Sequence, residues 1–152
     1  MDTAARFEPA QLLAALAAVS DHWSAPTGPD DANPNYRLVS LVTGGQFWIP
    51  AEPFRFVLDA FAPIWTAWIS RIEPGGLIHR HTDQGPYRER WQVPIQPAGL
   101  MNGVEAVAGV PFRVKHWEPH SVENATDRPR IHIVIDRDVV VDARPIPFQR
   151  LS

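Results

Sequence analysis

Apolar and polar positions along this chain change their period twice. From Pro9 to Trp23, in PAQLLAALAAVSDHW, the residues Leu12, Leu13, Leu16 and Val19 recur at intervals of three and four among alanines. That spacing gathers apolar side chains on one stripe of an α-helix, so a helix is predicted over about 9–23. The next stretch, SAPTGPDDANPN, is built of Pro, Gly, Asp and Asn and can sustain neither helix nor strand. From Tyr36 onward the period falls to two. YRLVSLV, QFWI, WTAWISRIE, LIHRH, RWQVPI, VEAVAGV, PFRVKHW, RIHIVID and VVVDA are short β-type runs, most of them bounded by Gly, Pro or Asn. Only PAEPFRFVLDAFAPIW interrupts them, and a second helix is predicted from about Glu52 to Ala62, with Glu52 and Pro53 in its first turn. Gly44 and Gly45 read as a hairpin turn between two strands.

Eight or so closely spaced strands predict a mainly β sandwich or barrel of the jelly-roll kind, with one or two flanking α-helices and a core over about 36–142. Length agrees with this picture, because 152 residues fit a single domain, 1–152, able to bury a core without disulfide staples. The 16 prolines, roughly double the average share, suit many strand-to-strand corners rather than long helices.

Composition removes several functions. Cysteine is absent, which excludes a disulfide framework, a thiolate metal site and a cysteine nucleophile, so any metal must use N and O ligands. A net charge of -3 and a single lysine, Lys115, provide no basic stripe for a phosphate backbone, and nucleic acid is not an expected partner. No apolar run approaches the roughly twenty residues that span a bilayer, and MDTAARFEPAQ lacks the features of a signal peptide. A cytoplasmic protein without a membrane partner is expected. The G-x-S-x-G, P-loop and G-x-G-x-x-G patterns are missing.

Candidate chemistry starts at LIHRHTDQGPYRER. If the strand side chains alternate, His79, His81 and Asp83 point one way while Ile78, Arg80 and Thr82 point the other. A second half stands in WEPHSVENATDRPRIHIVID, where His120 follows a turn-forming proline. Two imidazoles and one carboxylate with three positions left open make the facial triad of non-haem Fe(II) sites, and His81, Asp83 and His120 would supply it. In RIHIVID the residues Arg130, His132, Val134 and Asp136 share one face and Ile131, Ile133 and Ile135 the other. An inward Arg130 would be a buried cation in need of an anion, with a carboxylate-bearing co-substrate as the natural partner. Arg88, Arg90 and Gln92 likewise share a face opposite Trp91, Val93 and Ile95, either lining a cavity or forming ion pairs with Glu89 and Asp83.

The ordered combination RIEPGGLIHRHTDQGPYRERWQVPI and WEPHSVENATDRPRIHIVID, over roughly Arg71 to Asp136, resembles the aspartyl/asparaginyl β-hydroxylase family of Fe(II)- and 2-oxoglutarate-dependent oxygenases, which includes some bacterial proline hydroxylases. The resemblance implies a double-stranded β-helix with iron near its mouth. Position by position, His81 and His120 match the family's histidine ligands, and Asp83 the carboxylate that some members have. Arg130 matches the arginine that binds the distal carboxylate of 2-oxoglutarate. Arg90 matches a second co-substrate arginine, and Gln92 stands beside it in the cofactor-binding set where the family often has histidine. The implied reaction consumes O2 and 2-oxoglutarate and hydroxylates a C–H bond of an amino acid, an aspartyl, asparaginyl or prolyl residue, or a small peptide-like metabolite. Two other readings stay open. A cupin of another sort would bind metal through His79, His81, Glu89 and His120 for isomerase or co-substrate-free dioxygenase work, and a binding module would carry a vestigial site.

Overall fold

The computed structural model describes residues 5–25, 35–83 and 85–142. Most of the loop expected at SAPTGPDDANPN lies outside them. Among the described residues one helix, α1 (Pro9–Ala18), precedes nine strands: β1 (Tyr36–Thr43), β2 (Gln46–Phe47), β3 (Ile64–Ile72), β4 (Leu77–His81), β5 (Tyr87–Gln96), β6 (Leu100–Met101), β7 (Phe112–Val114), β8 (His120–Glu123) and β9 (Arg130–Asp142). They form a six-stranded sheet in the order β2-β1-β3-β9-β5-β7 and a three-stranded sheet in the order β4-β8-β6, every pair antiparallel. This is the jelly roll that the run spacing predicts.

The large sheet has two differently used faces. On one, Ile131, Ile133 and Ile135 of β9 and Trp91, Val93 and Ile95 of β5 pack with Leu12 and Ala15 of α1 and with Phe54, Val57, Leu58 and Phe61. On the other, Leu38 and Ser40, Trp68 and Ser70, Arg90 and Gln92, and Arg130 and Val134 face the small sheet across a cavity of about 580 Å³. Period-two alternation therefore separates a dry core from a polar interior within the same strands. The separation lapses at bulges, between Ser40 and Val42 and between Ile64 and Thr66, where Val42 and Ala67 reach both the core and the cavity.

Several boundaries differ from the sequence reading. The first helix stops at Ala18 instead of running to residue 23, because Ser24 exchanges two backbone hydrogen bonds of 2.9 Å with Leu38 and draws the chain onto the free edge of β1. The second helix is mostly 3-10 in character: Ile49–Phe54 and Asp59–Phe61 flank α2, a single α-helical turn at Arg55–Leu58. Pro53 lies inside the first of these segments and lacks the N–H that an α-helix would use. VEAVAGV is not a strand. Asn102 and Gly103 both take positive φ, so the chain doubles back to pair Val104 with Met101, and Val107 stays 63% exposed. The Gly44–Gly45 turn is as expected, with φ of 56° and 81° joining β1 to β2, values that favour glycine.

The two leucines adjacent in α1 test the packing. Leu12 is fully buried and Leu13 is 45% exposed. Leu12→Ala should cost about 2–5 kcal/mol, the usual price of a cavity under a helix, and Leu13→Ala should lie within about 0.5 kcal/mol of wild type. Urea unfolding followed by tryptophan fluorescence checks the difference; equal losses would contradict this seating of α1.

Candidate metal centre

β4 and β8 bring the histidines together. His81 and His120 are cross-strand partners, placed in register by a bulge between Ile78 and His81. Their ring centroids lie 4.3 Å apart. Just beyond β4 the chain turns, and the Asp83 N–H donates to the His116 carbonyl at 2.8 Å, which swings the Asp83 side chain back between the rings. Asp83 Oδ1 is 3.4 Å from His81 Nε2, and Oδ2 is 3.5 Å from His120 Nε2. Among the described residues the ligand atoms of His81, Asp83 and His120 form the one group of three lying within 4.8 Å of one another.

The remaining ring nitrogens prepare this site. His81 Nδ1 lies 2.7 Å from the His79 carbonyl and His120 Nδ1 lies 2.8 Å from the Glu118 carbonyl. A carbonyl only accepts, so each Nδ1 carries a proton, and Nε2 is the ring nitrogen that faces Asp83. Histidine ligands are commonly oriented by such an outer acceptor. The donor set is two imidazoles and a carboxylate on one side of a roomy cavity, which fits a borderline divalent ion such as Fe(II) and leaves its other face open.

The electrostatics support the same assignment. Burial pushes the Asp83 carboxyl up, but the His120 contact and the charges of Arg90, His120 and His81 outweigh it and hold the group below its ordinary value. His120 is raised, chiefly by its contact with Asp83 and against the effect of burial. Asp83 thus favours positive charge at the ring nitrogens beside it, and a bound cation would draw on the same attraction.

Around this centre the other sequence candidates are distributed unevenly. Arg130 is 4% exposed and lines the same cavity. Burial lowers its pKa to about 10, partly countered by Tyr36, and among the described residues no carboxylate pairs with it. Gln92 is buried on the cavity wall, where its Oε1 lies 2.9 Å from Nδ1 of the fully buried His132. Burial first, and then the Arg130 charge, push His132 well below the ordinary histidine range, so it is neutral. Arg90 also lines the cavity. Its Nε and Nη2 donate to Asp136 at 2.6 and 2.9 Å and its Nη1 to Asp83 Oδ2 at 2.8 Å. Two carboxylates therefore already occupy the guanidinium fork.

His79 lines the cavity but its ring lies outside the ligand group. Glu89 is turned elsewhere, accepting from Trp91 Nε1 at 2.6 Å and from Arg137 Nη1 at 3.1 Å. The four-ligand set His79, His81, Glu89 and His120 is thus not assembled. Sequence reasoning missed the role of Asp136, although its alternation with Arg130 placed it on the inward face. It also missed His116, whose backbone carbonyl fixes Asp83; no sequence signal marks a backbone contact of that kind.

A jelly roll whose mouth carries a His-Asp-His cluster defines the class: a cupin-type fold with the makings of a metal site. No protein-family model and no curated protein sequence matches the chain. Among solved structures it is similar to a 2OG-Fe(II) oxygenase family oxidoreductase from Burkholderia pseudomallei, at 15% identity over 85% of this chain and 76% of that one, with a TM-score of 0.57. A Pseudomonas putida prolyl-4-hydroxylase is similar at 14% identity over 88% and 90% of the two chains, TM-score 0.56. The polyketide cyclase RemF from Streptomyces resistomycificus is similar at 12% identity over 86% and 89%, TM-score 0.52. At such identities the likeness shows the fold, and this fold hosts several chemistries. Among the described residues no helix is long and apolar enough to cross a membrane.

Proposed function

We propose that the protein is an Fe(II)- and 2-oxoglutarate-dependent oxygenase that hydroxylates a C–H bond of an amino acid, an aspartyl, asparaginyl or prolyl residue, or a small peptide-like metabolite. His81, Asp83 and His120 hold the metal, and Arg130 takes the distal carboxylate of 2-oxoglutarate. Bound iron with its co-substrate supplies the oxidation of the C–H bond by O2, with release of succinate and CO2. The protein's part is to bind, orient and exclude. Arg130 fixes one end of the co-substrate, the histidine Nε2 atoms and Asp83 face the other, and Tyr36, Trp68 and Ser70 line the space where a substrate sits.

The observation that carries this reading is Arg130. An ionised guanidinium buried with no carboxylate partner among the described residues is costly, and an anionic ligand is the economical remedy. The same cavity holds the metal cluster, so one dicarboxylate can meet both ends. The fold likeness to a 2OG-Fe(II) oxygenase family member and to a prolyl-4-hydroxylase supports it. A cupin with isomerase or co-substrate-free chemistry leaves Arg130 without a task.

Adding 2-oxoglutarate to the anaerobic Fe(II) protein should produce a visible metal-to-ligand charge-transfer band. Admitting O2 should then give succinate, faster with a true substrate from a panel of amino acids and peptides. No band at millimolar 2-oxoglutarate would remove the oxygenase reading. The partners implied are O2 and a small-molecule or peptide substrate.

A further inference from the structure

We infer that Asp136 and Arg90 are positioning residues that orient Asp83 as a one-oxygen metal ligand and leave its negative charge available to the cation. The inference rests on the metal reading above and concerns this chain's own residues. Arg90 stands at the crossing of β5 and β9, where it is the register partner of Asp136. Its guanidinium grips Asp136 through Nε and Nη2, both within 2.9 Å, and lies 5.3 Å from the centre of the Trp68 ring. A planar group held in a fork on one edge and against a ring on its face has a fixed direction. Among the described residues the remaining Nη1 then donates to one atom, Asp83 Oδ2, at 2.8 Å. Asp83 Oδ1 meets His81 alone among the described residues.

Two consequences follow. The lone pairs of Oδ2 are shared with Arg90, so Oδ1 is the oxygen better able to bind a metal, and a one-oxygen carboxylate with two imidazoles leaves three positions open on an octahedral ion. Charge balance explains the need for Asp136. A lone Arg90 would neutralise Asp83 and repel a divalent cation. With Asp136 as a second anion the trio keeps a net charge of about -1, and the attraction for the metal survives. Asp136 and Arg90 have side chains only 14% and 15% exposed, so this balance is set within the protein and little screened by salt.

Co(II), whose visible d–d bands report ligand number and geometry, tests the role without turnover. Wild type should bind Co(II) with a six-coordinate spectrum. Asp136→Asn should weaken Co(II) binding roughly 10–100-fold, the scale for losing an outer partner, and alter the d–d bands. Asp136→Asn leaves Arg90 with one anion and can destabilise the fold. A second variant combining Arg90→Met with Asp136→Leu removes the buried charges together, which often leaves stability near neutral. This paired variant should melt near wild type yet show altered bands, because Asp83 is released. Wild-type bands in folded Asp136→Asn and in the paired variant overturn the positioning role, since a purely structural pair would change melting and leave the spectrum alone. Failure of wild type to bind Co(II) overturns the metal reading itself, and the positioning role with it.

Discussion

Arg130→Met should leave iron binding intact while weakening 2-oxoglutarate by about 2 kcal/mol or more, some thirtyfold, which is the scale for truncating one partner of a buried charge pair. Arg130 is the first residue of β9 and is not among the metal-ligand group, so its loss does not disturb the cluster. Methionine fills a similar volume and imposes no desolvation cost, so the fold should tolerate it. Lysine is the more instructive replacement. A single ammonium restores the charge but not the two-pronged contact with a carboxylate, so Arg130→Lys should recover only part of the affinity. Titrating 2-oxoglutarate into the anaerobic Fe(II) protein and following the charge-transfer band gives both constants. If Arg130→Met binds 2-oxoglutarate as tightly as wild type, the cavity cation has another purpose and the co-substrate assignment goes with it.

The alternation in RIHIVID was legible because both faces of β9 are demanding. Isoleucines at 131, 133 and 135 enter a dry core, while Arg130 and Val134 face the cavity, so a slip of one residue would bury the wrong set. RWQVPI was legible for the same reason. VEAVAGV is also valine-rich, but no strand formed, since positive φ at Asn102 and Gly103 turns the segment back on β6 before it can pair further. The pattern records which side chains are apolar, and pairing depends on an available neighbour. The histidines were legible as residue types, but their convergence depends on a bulge between Ile78 and His81 that no local pattern encodes. Arg90 was visible as an inward cation. Its partner was ambiguous, because Asp136 lies 46 positions away and meets it only through the β5–β9 register.

The histidines should separate sharply in their effect on metal. His81→Ala and His120→Ala should each abolish detectable Fe(II) or Co(II) binding at micromolar protein, a loss larger than the roughly 10–100-fold that follows from removing an outer partner. The reason is geometric. Each ring offers Nε2 to the shared space because a backbone carbonyl holds its Nδ1, and no other described His, Asp or Glu supplies a replacement within the cluster. Asp83→Ala removes the third ligand and its charge, leaving only the neutral Arg90–Asp136 pair beside the imidazoles, so binding should weaken strongly while a remnant through the two histidines persists. His79→Ala should retain the metal, since the ring is exposed and its part in the site is the backbone carbonyl that accepts from His81, which alanine keeps. Glu89→Ala should retain it as well, because that carboxylate is engaged by Arg137 and Trp91. Calorimetric titration of the apo protein with Co(II) reads all five variants on one scale. Loss of metal from His79→Ala with full retention in Asp83→Ala would transfer the site to the four-ligand cupin set and take the facial triad, and with it the open positions that the oxygenase chemistry needs, out of the account.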